Sequence, residues 1–310
     1  MKKSFLISLI CVVLAESSHA TDPSAKLYIN ENEAYSMAAG SPASWLFEYL
    51  DEKGRTYEHL MMMHDKKVHL LVVPDSLETM YHIHPTQVGI ASGLFQIDIN
   101  QASADPDNLE AAIALKKPGK YYLFSEIMGM ETPMMTLPLD FLATGKASSD
   151  PKPVWKPDPL NSDGNITKYF NAVGEVAAEG ALYRVDLKTL NSLQCLNLMS
   201  RFMLNIKMKV GANYESVKDI ERWLGRYAHG ILLSVEGSGA KDKVFRHVHG
   251  VYPNTGDLVG PDLILLLDNH VVGFKDGTYR FWVQLKRAGK ILKFPFTIDL
   301  AKPAGLSCKQ

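Results

Sequence analysis

A chain of 310 residues, 46% hydrophobic and 22% charged with a formal net charge of −1, has room for two domains of about 100–200 residues each. Its near neutrality argues against a nucleic-acid partner, which would want a basic stripe. It contains no G-x-S-x-G, no H-E-x-x-H and no G-x-x-x-x-G-K-[ST] motif, which argues against the hydrolase, zinc-protease and nucleotide-binding classes that those motifs define.

The first twenty residues predict a signal peptide. Lys2 and Lys3 form a basic start, Phe5 to Leu14 is apolar, and Ser18-His19-Ala20 offers small residues for cleavage after Ala20. The apolar run is shorter than the roughly 20 residues a bilayer span needs, and no later run reaches that length. The expected location is therefore periplasmic or secreted. Cys195 and Cys308 follow the signal. An exported protein can oxidise such a pair, but sequence leaves their proximity open, and they form no C-x-x-C motif.

Residues 21–146 predict a first β-sandwich domain. An apolar strand begins near Leu46, a Tyr-bearing connector follows, and a second strand opens with a histidine, His69-Leu-Leu-Val-Val. The chain then turns into Tyr81-His82-Ile83-His84-Pro85. Leu109 to Leu115 predicts a short helical turn. Gly119 opens a strand with alternating large side chains, and a last strand, Met135 to Leu142, carries Pro138. Proline inside a strand places it at an edge or a bulge.

Residues 147–165, ASSDPKPVWKPDPLNSDGN, read as a semi-extended Pro-rich linker. Residues 166–310 then repeat the first pattern as a second domain. His229-Gly-Ile-Leu-Leu matches His69-Leu-Leu-Val-Val, and Phe245-Arg246-His247-Val248-His249 matches the first His-x-His. Gly277-Thr278-Tyr279-Arg280-Phe281-Trp282 matches the strand after Gly119, and Pro295 sits where Pro138 does. Ser216 to Trp223 puts Val217, Ile220 and Trp223 at helical spacing, which predicts a packed helical turn. Short alternating strands separated by turns define an all-β chain, two tandem antiparallel sandwiches of immunoglobulin-like or cupredoxin-like type.

The copies resemble the periplasmic immunoglobulin-like sandwiches called YtkA-like or CopC-like domains. The resemblance rests on His69-Leu-Leu-Val-Val with Tyr81-His82-Ile83-His84-Pro85, on Trp223-Leu224-Gly225-Arg226-Tyr227-Ala228-His229, and on the strand from Gly277 to Leu285. It covers most of both domains and not the linker. The sequence departs from it at Gly250, which stands where the first copy has Pro85, and in the longer second loop. The resemblance implies the sandwich fold and a setting near copper or other heavy-metal handling.

The histidines carry the candidate chemistry. On a strand, residues i and i+2 share a face, so His82 and His84 are neighbours, as are His247 and His249. If each preceding strand pairs as a hairpin, His69 and His229 complete two trios, provided that the register is right. Three imidazoles suit Cu(II) or Zn(II). Met61, Met62, Met63 and Met80 lie near the first trio, and Met128, Met130, Met134 and Met135 form another group. Thioethers favour Cu(I), so copper is the expected ion, with zinc behind it. Met80 and His64 are further candidate ligands. The methionines favour the first trio over the second.

The expected function is binding of a transition-metal ion for copper storage, transfer or tolerance, without catalysis. The competing reading is an envelope protein-interaction or scaffold module in which the histidines are structural. A buried His-x-His can simply be hydrogen-bonded, and methionine also fills irregular core gaps.

Overall fold

Alternation of large apolar with polar side chains runs through the chain and makes it almost wholly β. The computed structural model describes residues 22–89, 93–130, 132–146, 151–171, 181–189, 200–251, 262–267 and 276–300. The expected signal peptide, Cys195 and Cys308 lie outside the described residues. Among those residues, no helix is long and apolar enough to cross a membrane.

The N-terminal half comprises β1 (Ser24–Ile29), β2 (Asn32–Glu33), β3 (Ser36–Ala38), β4 (Ala43–Leu50), β5 (Val68–Pro74), β6 (Tyr81–Ile83), β7 (Thr86–Gln87), β8 (Leu94–Ile99), β9 (Gly119–Met128) and β10 (Met134–Thr144). They form two five-stranded sheets, ordered β2-β1-β4-β8-β7 and β3-β10-β9-β5-β6. Trp45, Phe47, Tyr49 and Phe95 of the first sheet meet Leu70, Val72, Leu123 and Ile127 of the second in a core. A 3₁₀ segment at Pro106–Ile113, kinked at Asn108, closes one end, with Asp105 accepting from the Asp107 amide as its cap. This segment is the turn expected near Leu109 to Leu115, starting three residues earlier.

The C-terminal half comprises β11 (Ile166–Asn171), β12 (Leu182–Thr189), β13 (Ser200–Val210), β14 (Asn213–Ser216), β15 (Ile220–Glu221), β16 (His229–Ser234), β17 (Phe245–Val251), β18 (Asp262–Leu267), β19 (Gly277–Arg287) and β20 (Lys290–Leu300). Its pairings repeat those of the first half. Leu71 pairs with His82 and Phe124, and Ile231 pairs with His247 and Trp282. Both prolines behave as expected. Pro138 and Pro295 sit on β10 and β20, paired through β9 and β19 at Phe124 and Trp282.

The sheet pairing of the halves diverges where Pro85 stands in one and Gly250 in the other, because proline has no amide to donate. After His84, Pro85 lacks an amide donor, so β6 stops at Ile83 and the chain restarts as β7 in the other sheet. Gly250 occupies the same place in the second half, and its amide donates to Ala228 O at 2.7 Å. There β17 runs on to pair with β18, joining all the strands into one ten-stranded sheet.

The expected helical turn at Ser216 to Trp223 is extended instead. Backbone pairing of β14 with β13 and of β15 with β19 outweighs the helical spacing, while Val217, Ile220 and Trp223 are buried as a packing role requires. Residues 151–159 of the Pro-rich segment form neither strand nor helix, and the segment is pinned to the rest of the chain. Trp155 donates to Ser76 O at 2.8 Å and lies under the Arg280 guanidinium at 3.7 Å.

β5 is buried at almost every position, and so is β16. One face of each strand points into its own core. The other meets the opposite half: Leu71, Val73, Met80, Tyr122 and Phe124 pack on Ile231, Leu233, Phe245 and Trp282. Phe124 and Phe245 stack with ring centroids 4.9 Å apart. Each such side chain contributes roughly 1.5–3 kcal/mol on full burial, so the seam has the strength of a core.

Gly250→Ala should destabilise the protein by about 1–3 kcal/mol, because an added Cβ would lie 2.7 Å from Ala228 Cβ and 2.9 Å from its nitrogen. A urea-unfolding midpoint unchanged from wild type would contradict this.

Candidate metal centre

The histidines cluster at one end of the seam. Continuing the β5–β6 register that pairs Leu71 with His82 puts His69, His82 and His84 on the seam face. In the second half, His229 pairs with His249 and Ile231 with His247, which aligns the corresponding three. Each trio offers nitrogen atoms within 4.8 Å of one another, so two groups stand ready that can hold a metal ion. Five of the six are fully buried, and His249 is partly so.

The geometry of the first trio is set atom by atom. His69 Nδ1 lies 3.0 Å from His82 Nε2, and His84 Nε2 lies 3.2 Å from the same atom. The other nitrogen of each ring faces outward to an oxygen. His69 Nε2 meets Met63 O at 2.9 Å, His84 Nδ1 meets Asp107 O at 3.1 Å, and His82 Nδ1 meets Gln284 Oε1 at 3.2 Å. Each outer nitrogen is best satisfied as a donor, since every partner is an acceptor. A neutral imidazole has only one N–H, so all three inner lone pairs then converge. Lone pairs at this separation repel unless a cation lies between them. In a tetrahedral ion with bonds of about 2.0–2.1 Å, ligand nitrogens sit roughly 3.3–3.4 Å apart, close to these distances.

The second trio repeats the plan. His229 Nδ1 lies 3.1 Å from His247 Nε2, and His229 Nε2 meets Trp223 O at 3.1 Å. His247 Nδ1 meets Glu126 Oε2 at 2.6 Å. His249 Nε2 is buried without a hydrogen-bond partner, which is costly for a polar atom unless something else occupies it.

Burial, and after it charge repulsion from neighbouring histidines, disfavours the protonated form of four of these rings. His69, His82, His229 and His249 are held well below the usual histidine value. Burial lowers His84 to about 3 and His64 to about 4. The neutral form is the one a metal binds.

The backbone around the trios is also tied down. Asn108 accepts from the His84 amide at 2.7 Å and donates to its carbonyl at 2.9 Å. Glu110 accepts from the His82 amide at 2.6 Å and pairs with Lys293 at 2.6 Å. Trp223 donates to Asp107 Oδ1 at 3.0 Å, and its ring edges His82 and His229.

Two expected ligands stand elsewhere. Met80 is wholly buried in the apolar seam with Leu71 and Trp282, and its carbonyl accepts from Lys293. The cause is strand alternation, which carries Met80 along the seam face to its apolar part. His64 lies against His249 of the second trio, and is about equally far from His69 and His229. Its ring lies 3.8 Å from His249 and 6.4 Å from His69, because the tight turn at His64 and Asp65, both at positive φ, projects across the seam.

Glu126 and Gln284 were missed from the sequence. A signal was present: each is a polar residue seven positions after the matching glycine, Gly119 or Gly277, in the buried middle of its strand.

The chain was compared with known proteins. Residues 184–302 match the family model described as a domain of unknown function, DUF8832. No curated protein matches the chain in sequence. Among solved structures, a tetra-tandem repeat from the extending region of a large adhesion protein is 6% identical at a TM-score of 0.23, covering 90% of this chain and 49% of that one. TarS from S. aureus is 9% identical at 0.22, covering 88% and 39%. A promiscuous carbohydrate-binding module of the β-sandwich superfamily is 10% identical at 0.20, covering 91% and 98%. The chain thus spans half or less of the first two, and likeness this low carries no argument about function.

Stability without metal should fall on acidification. His64, His69, His82, His84, His229 and His249 have lowered pKa values in the folded chain, so below about 6.5 these groups take up protons in the unfolded chain before they do in the folded one. The loss should run from about pH 6.5 down toward His64 at about 4 and His84 at about 3, at roughly 1.4 kcal/mol per pH unit per histidine. Thermal melts between pH 7.5 and 4 check this, and a flat profile would contradict it.

Proposed function

We propose that this is an exported metal-binding protein that holds copper, for storage, transfer or tolerance, in the paired histidine trios. The supporting observation is the first trio's geometry: one nitrogen of each buried ring faces the other two rings, and the other nitrogen faces an oxygen, Met63 O, Asp107 O or Gln284 Oε1, which favours the tautomers whose inner lone pairs converge. Such a site is unfavourable empty and favourable with a cation.

Imidazole donors accept Cu(II) or Zn(II), and thioethers add Cu(I). Met61, Met62 and Met130 are 43%, 58% and 68% exposed. Core filling does not account for exposed thioethers. Met61 is backbone-bonded to Met128 at 2.7 Å, and Met134 pairs with Met128, so these methionines gather at one end of the N-terminal sheet. Met63, next in line, holds His69. A surface that takes up Cu(I) beside a buried imidazole site favours copper over zinc.

The setting favours retention over turnover. A cleft of about 30 Å³ lined by His82, Glu110, Trp223 and Gln284 opens on the centre. That volume is room for water.

A second reading, an envelope scaffold with structural histidines, draws on the nitrogen–nitrogen distances of 3.0–3.2 Å, which are hydrogen-bond lengths. Titration of the chain lacking residues 1–20 with Cu(II), Cu(I) and Zn(II) separates the two. Metal handling predicts two bound equivalents, one lost in the His82→Ala/His84→Ala double variant. Weak binding unchanged by that double substitution would refute it and leave the histidines structural.

A further inference from the structure

The two trios occupy matching places in the repeat, yet their supports differ. In the β5–β9 register His69 stands opposite Glu126, and in the β16–β19 register His229 stands opposite Gln284. Each reaches across the seam. Glu126 meets His247 at 2.6 Å, and Gln284 meets His82 at 3.2 Å. The central histidine of each trio is therefore oriented by the other half of the chain, in one case by a carboxylate and in the other by an amide.

The turns differ in the same sense. Met63–Lys66 and Trp223–Arg226 are equivalent two-residue turns, each closed by a bridge. The first carries His64 over His249, at 3.8 Å between ring centroids. The second has Leu224 at the corresponding position.

We infer that the trios form one paired centre with unequal sites, the C-terminal trio of His229, His247 and His249 being the tighter and the N-terminal trio the weaker. This rests on the metal-binding reading above. A carboxylate that accepts from a ligand imidazole fixes its tautomer and raises its basicity, and loss of such a partner costs about 10–100-fold in metal affinity. An amide oxygen fixes the tautomer without supplying charge. His64 adds a further imidazole beside His249, whose Nε2 lacks a hydrogen-bond partner, whereas Leu224 adds none.

The sites are also close enough to sense each other. The His247 ring lies 5.3 Å from His82 and 5.4 Å from His69. A cation in the first site to fill repels a second across this short, water-poor gap, which separates the two binding steps further. The preference is the reverse of the one suggested by the methionines in the sequence.

The test is a competition titration with Zn(II), followed by Cu(II) electron paramagnetic resonance of the first equivalent. Wild type should bind in two resolved steps. Glu126→Gln should weaken the first step by about 10–100-fold, leave the second nearly unchanged and alter the first-equivalent spectrum. Gln284→Glu should strengthen the second step and draw the two together, which also guards against a Glu126 variant that fails to fold. His249→Ala should abolish the tight step, and His84→Ala the weak one. Two equal steps, or a tight step lost in His84→Ala and kept in His249→Ala, would overturn the inference while leaving metal binding intact. So would a Glu126→Gln variant that lowers apo stability without moving the first step or its spectrum. Absence of binding in wild type would overturn both this inference and the function it rests on.

Discussion

Everything distinctive about this molecule follows from two sheets burying their second face against each other. In an ordinary sandwich the outer face of a strand is wet, and polar side chains alternate with apolar ones. Here β5, β9, β16 and β19 are buried on both faces. At one end of this seam the side chains are Phe124, Phe245 and Trp282, which simply exclude water. At the other end they are histidines. The apolar end makes the polar end dry, and dryness gives the histidines their chemical character.

A dry imidazole must place both nitrogens. The fold supplies acceptors for the outer nitrogens from three sources: backbone carbonyls of Met63 and Trp223, the Asp107 carbonyl in the 3₁₀ segment, and Gln284 and Glu126 from across the seam. The inner nitrogens are left to face one another. The same low-dielectric surroundings that hold the rings neutral make an enclosed cation interact strongly with its donors. Burial and tautomer are thus linked, and the proposed metal affinity rests on both.

The repeat is close in register and unequal in chemistry. Where it departs, single residues explain why. Pro85 ends a strand that Gly250 lets continue, so one half keeps two sheets and the other joins them. Glu126 against Gln284, and His64 against Leu224, give matching positions different charge and different donors. Trp155, from the Pro-rich segment, covers the far end of the seam and packs on Arg280. The connector therefore helps hold the halves in the arrangement on which the centre depends.

Much of this was legible in the residues. Alternation, turn residues and the matched prolines made the chain all-β. The His-x-His pairs shared a face because a strand has a period of two, whatever the fold around it. The repeat aligned His69 with His229 before any contact was known. The helical spacing at Ser216 to Trp223 misled, because strand pairing with β13 and β19 outweighed a local preference.

What only the tertiary structure decided was the partner of each histidine. His64 lies near His69 in sequence and against His249 in space. Met80 lies near His82 in sequence and among apolar side chains in space. Glu126 and Gln284 touch histidines more than a hundred residues away. Periodicity specifies the face on which a side chain lies. It carries no information about what is packed on that face, because the packing of one half on the other is a contact between distant segments that no local pattern encodes.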